Sequence, residues 1–115
     1  MSIKSLVLGL LTPILDNTWA VELPPDPAWP AVVFDIATEP EDGWVMGGGY
    51  DQHGVTVIVL ARTQGEIEAL VQPIRAALEG HEQSMGIQSH GDADYEPDPA
   101  VYAYHLTAIL RTPAF

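Results

Sequence analysis

The apolar positions of this chain change period several times, and each change marks an element. Leu6, Val7, Leu10, Leu11 and Ile14 recur at steps of three and four, the stripe of an amphipathic helix. Ser2 is placed to cap it. Pro13 limits its continuation, because proline lacks a backbone donor and clashes one turn back, so the predicted helix ends near Asp16. Glu22 to Pro30 holds Pro24, Pro25, Pro27 and Pro30. That density excludes helix and inner strand and predicts an extended connector. Ala31-Val32-Val33-Phe34-Asp35-Ile36 predicts a strand. Thr38 to Gln52, with Pro40 and Gly47-Gly48-Gly49, predicts a long loop.

From His53 to Arg62 the period is two. Val55, Val57 and Val59 alternate with Thr56, Ile58 and Leu60. Both faces are apolar in mid-strand, which predicts a place inside the sheet. Thr63-Gln64-Gly65-Glu66 has the spacing of a capping box. Ile67, Leu70, Val71, Ile74 and Leu78 then mark one face of a helix, crossed by Pro73 and stopped by Gly80. His81 to Pro99 is polar, with a short strand expected at Met85 to Ser89. Val101 to Thr112 predicts the last strand, with Tyr102, Tyr104, Leu106, Ala108 and Leu110 on one face.

The order α-β-β-α-(β)-β predicts an α+β fold. Its small sheet, mixed or antiparallel, has three to four strands packed against two helices. Residues 1–115 are expected to form a single domain, a usual length for one. The chain shows no internal repeat.

Charge narrows the function classes. Sixteen acidic residues face only Lys4, Arg62, Arg75 and Arg111, for a net charge of −12. Gripping nucleic acid from outside needs clustered bases, and an anionic membrane repels such a chain. Solubility explains the acidity, and so does a surface from which DNA slides away. There is no cysteine, so disulfides, thiolate chemistry and thiolate-held zinc are excluded. No apolar run approaches the roughly 18 residues of a membrane span. The first twenty residues do not read as a secretory signal, because the charged region has Lys4 alone and Asp16 and Trp19 crowd the cleavage position.

Each candidate for chemistry meets a specific obstacle. His81-Glu82 opens like a zinc-protease helix, but Met85 stands where the second histidine belongs, and Gly80 has just stopped the helix. His90 to Asp98 is rich in oxygen ligands, yet counting from Asp92 puts Pro97 at the sixth position and Ala103 at the twelfth. A calcium loop needs glycine and a bidentate acid there, so the segment reads as a solvated acidic loop. No serine sits in a Gly-x-Ser-x-Gly elbow. Ser89 and His90 are adjacent, and neighbours in a strand point to opposite faces. Gly47-Gly48-Gly49 lacks the Lys-Ser/Thr that completes a phosphate loop. Trp19 and Trp29 read as lids on the core. Trp44, inside the glycine loop, reads equally well as a binding anchor.

Three stretches together resemble the tail-terminator or tail-completion proteins of long-tailed bacteriophages. They are Leu23-Pro24 through Phe34, a strand-then-helix unit ending Pro73-Ile74-Arg75-Ala76-Ala77-Leu78-Glu79-Gly80, and Asp94-Tyr95-Glu96-Pro97-Asp98-Pro99-Ala100-Val101 running into the last strand. The long loop at Thr38 to Gln52, and the scarcity of bases ahead of the first strand, depart from that pattern. The resemblance implies a structural virion protein with no catalytic residues, cofactor or metal. Six copies would form a ring on the head-proximal end of the tail tube. The ring would stop tube growth and meet the head connector, with DNA passing through the lumen unbound.

Heterologous ring contacts need opposed patches to match, so the scarce Arg62, Arg75 and Arg111 are candidate interface residues. Trp44, Gly47, Gly48, Gly49 and Tyr50 are candidate contacts to tube or connector. The rival readings are another head–tail connector part (stopper or adaptor), an unrelated acidic oligomeric binding module, a DNA mimic, and a small enzyme using the His90 to Asp98 segment.

Overall fold

The computed structural model describes residues 3–23, 28–40, 50–82, 84–95 and 100–113. Its elements are α1 (Ile3–Leu11), β1 (Thr18–Ala20), β2 (Ala31–Pro40), β3 (Tyr50–Ala61), α2 (Gln64–Gly80), β4 (Ser84–Asp94) and β5 (Tyr102–Pro113). The five strands form one sheet ordered β1-β2-β3-β5-β4. β1 runs parallel to β2, and every other pair is antiparallel. The run with two apolar faces has become the central strand, as its pattern requires.

Both helices cover one face. Val7 and Leu11 of α1 and Ile67, Ile74 and Leu78 of α2 are buried against Val32 and Phe34, against Val55, Val57 and Val59, and against Leu106, Ala108 and Leu110. α2 starts as its sequence dictates. The Thr63 hydroxyl accepts from Glu66 N at 3.2 Å, and it donates to the Glu66 carboxylate at 3.2 Å. Pro73 lies within the helix, on its exposed side.

The opposite face is covered only in part. Leu60, Val101 and Ala103 form a second buried cluster, closed over by Leu23, Trp29, Val33, Ile58, Ala93 and Tyr95. Trp29 and Tyr95 meet edge to face with ring centres 5.4 Å apart, the favoured aromatic geometry. Parallel β1 and β2 need a crossover between them. The described ends of that connector carry Leu23 and Trp29 onto this face.

Four expectations change. The sheet has five strands rather than three to four, and the order is α-β-β-β-α-β-β. The added strand, β1, has three residues, too few for any alternation to register. Backbone pairing defines it instead, with Val32 N–H on Asn17 O at 3.0 Å and Val21 N–H on Phe34 O at 2.7 Å. The short Met85–Ser89 strand is an eleven-residue β4 that absorbs the start of the acidic segment. It is polar because it is an edge strand, where charge discourages unwanted pairing. Its register slips between Ser84 and Ser89, with Gly86 at φ 98°, a bulge conformation open to glycine.

The β2–β3 ladder continues to Pro40↔Asp51, so residues 38–40 and 50–52 of the expected loop are strand, and 41–49 lie outside the described residues. Thr38, Glu39 and Gln52 read as loop because the hairpin there has outrun the core and its faces are no longer apolar. α1 ends at Leu11 rather than near Asp16. Only single turns follow it, with Thr12 N–H on Leu8 O and Leu15 N–H on Leu11 O.

Candidate functional site

The three arginines do not form one patch. Arg62 is exposed just after β3. Arg111 is half-buried on the partly covered face, opposite Gln52. Along the strands these two lie on the order of 30 Å apart. Arg75 projects from α2 and pairs through Nε with the Glu79 carboxylate at 3.0 Å. Both side chains are 43% exposed, so this i,i+4 pair adds only a few tenths of a kcal/mol. Trp44, Gly47, Gly48 and Gly49 lie outside the described residues. Tyr50 opens β3, in register with Pro113.

A half-open cavity of about 500 Å³ lies between α2 and the β4 end of the sheet. Ile67, Val71 and Tyr104 supply apolar walls, and Gln64, Glu68, Gln72 and Asp92 supply polar ones. β5 positions Tyr104 beside β4, in register with Asp92. His90 Nδ1 lies 2.5 Å from Tyr104 Oη, and the two rings stack at 6.0 Å. His90 and Asp92 therefore share a face and flank one phenol. Ser89 and His90 pair with consecutive β5 residues, Thr107 and Leu106, so they do point to opposite faces. Among the described residues no group of three or more His, Asp or Glu is arranged to hold a metal ion.

The other end of the sheet presents a feature the sequence reading missed. Trp19 lies on edge strand β1 and is 40% exposed; it is no lid. Its indole N–H donates to Asn17 Oδ1 at 2.6 Å. Asn17 Nδ2 in turn donates to Ala28 O at 2.7 Å and Pro30 O at 3.0 Å. The ring is held by a polar network rather than by burial. Val21 follows at φ 72° and 55% exposed. Its neighbours close a γ-turn, Glu22 N–H on Ala20 O at 2.9 Å, in the rarer and strained hand. The signal available in the sequence was Asn17 beside Trp19, a polar tether next to an aromatic that no periodic element claims. Trp29, in contrast, is the lid that was expected.

His53 is buried on the helix-covered face. Burial holds its pKa below the usual value of 6.5, and the nearby Asp51 carboxylate opposes that shift. Nδ1 lies 2.8 Å from Thr38 Oγ1 and Nε2 2.7 Å from Thr112 Oγ1. A hydroxyl donates or accepts, so either neutral tautomer satisfies both contacts. The geometry is that of a tie across three strands. Elsewhere, Ala37, Glu39, Gln52, Gly54, Gln88 and Ile109 line a shallow hollow of about 250 Å³ on the partly covered face.

No curated protein sequence matches the chain. A solved chain described as "Virion of native gene transfer agent (GTA) particle" shares the fold, with a TM-score of 0.68 and 13% identity. The match covers 98% of this chain and 96% of that one. The family model described as "Tail completion protein gp17" matches residues 7–111, from the middle of α1 almost to the end of β5. The chain therefore belongs to the tail completion protein gp17 family, structural proteins of phage tails.

Proposed function

We propose that this protein forms a ring, six copies in the simplest case, on the head-proximal end of a finished tail tube. The ring stops tube growth and presents its other side to the head connector. Residues 1–115 act as one folded unit in this role, without catalysis or cofactor. The observation that carries the reading is the family match, which spans nearly every described element. Two physical features support it. With a net charge of −12 per copy, a lumen bearing part of that charge releases DNA instead of holding it. The sheet also has two unlike ends, the short β1 and the long β4, and a closed ring requires two different, mutually complementary surfaces on each copy.

Arg62, Arg75 and Arg111 are the proposed ion-pair partners of a neighbour's carboxylates. The 41–49 segment with Trp44 and Tyr50 is the proposed contact to tube or connector. The test is to produce particles without this chain. Tails of uncontrolled length and unjoined heads are the expected phenotype, with rescue by the added protein. Electron microscopy of labelled protein then places it. Label at the tube end supports the reading. Label on the head, with normal tail lengths in its absence, replaces it with a connector stopper or adaptor.

A further inference from the structure

Trp19 and the α2–β4 cavity stand toward opposite ends of the sheet and one rung apart. The register runs Trp19↔Val33, Val33↔Ile58, Ile58↔His105 and His105↔Gly91. Tyr104 and Asp92, the cavity's sheet-side walls, are the next residues to His105 and Gly91. Trp19 shares its face with Val33, the face turned away from the helices. The cavity opens on the helix-covered face, between α2 and the sheet. A second copy shifted sideways across the sheet, with a slide of about one residue along the strands, lays the Trp19 face of one end over the cavity face of the other. Copies overlapped like shingles make this contact once on each side, the head-to-tail repeat that a ring needs.

We propose that Trp19 of one copy seats in the α2–β4 cavity of the next copy around the ring. This rests on the ring reading above and names the contact that builds it. The cavity is of the size that receives a bulky group. Its apolar walls Ile67, Val71 and Tyr104 match the indole face. Its carboxylates, Glu68 and Asp92, match the positive edge of an aromatic ring. Charge favours a neutral anchor here, because copies with sixteen acids and four bases have few cations to offset a neighbour's carboxylates. The anchor is also ready before contact. Trp19 is fixed through Asn17, so little rotamer freedom is lost on docking. Val21 holds a strained, exposed turn beside it, the kind of outlier found at binding surfaces.

The absence of native cysteine gives a clean test. The full chain carrying Val21→Cys and Glu68→Cys, which keeps Trp19, is assembled on tail tubes and oxidised. A ladder of covalent oligomers on a non-reducing gel is expected, ending at the ring's copy number. Neither single variant should give it. In parallel, Trp19→Ala, shown folded by its thermal transition, should weaken assembly on tubes by about thirtyfold or more, the range of an interface anchor. Rings seen by microscopy without the ladder, or rings of Trp19→Ala formed as readily as wild type, overturn this contact and leave the ring standing. Tube ends carrying no multiple copies of the wild-type protein overturn the ring reading, and this contact with it.

Discussion

His53 Nε2 lies 2.7 Å from Thr112 Oγ1, although the backbone partner of His53 on β5 is Leu110. The side chain reaches diagonally along β5, while Nδ1 engages Thr38 on β2. One imidazole thus ties three strands where the apolar core gives out. Its pKa is lowered by burial, so the folded state takes up a proton less readily than the unfolded chain. Above about pH 6.5 both states hold neutral histidine, and the group costs nothing. As pH falls through 6.5 toward the lower folded value, the unfolded state gains the proton first and stability declines. The decline is at most about 1.4 kcal/mol per pH unit. Denaturant titrations of wild type and His53→Gln from pH 8 to 5.5 check this. The variant should lack that share of the slope. Parallel slopes would count against it.

Arg75 and Glu79 separate stability from assembly. Their pair is exposed within one helix, so Arg75→Ala should shift stability by no more than about 0.5 kcal/mol. If Arg75 serves a neighbouring copy, tube capping by the variant falls while its melting curve barely moves. Unchanged capping removes Arg75 from the interface and leaves Arg62 and Arg111.

The helix-covered core should show the sensitivity of a close-packed interior. Leu106 has no exposed surface and packs in the cluster that joins both helices to the sheet. Leu106→Ala should cost about 2–5 kcal/mol in denaturant unfolding, a large part of a small domain's stability. A cost under about 1 kcal/mol would mean the site refills on truncation.

Deletion of residues 42–49 tests the segment outside the described residues. Pro40 and Asp51 already pair, so Glu41 and Tyr50 would remain as a two-residue hairpin connection, a favoured length. Stability should stay within about 1 kcal/mol of wild type, with tail capping lost. Normal tail length in particles carrying the deletion would remove this segment from the tube contact.

The long amphipathic stripe of α2, its Thr63 cap and the doubly apolar β3 were legible in the sequence, because periodicity and capping are local properties. The family resemblance was legible too, carried by the proline connector and the last strand. The ends of β2 and β3, the length of β4 and the existence of β1 were not. Those residues are polar or few, and only their backbone partners far along the chain make them strands. The same reason hid the proposed Trp19 contact. The sequence by itself determined the α+β composition, the central strand, the acidity and the absence of thiol chemistry. Tertiary structure alone decided that Trp19 is held at the surface by Asn17 and lies one rung from a cavity at the far side of the five-stranded sheet. Cross-strand register joins residues that no local pattern relates.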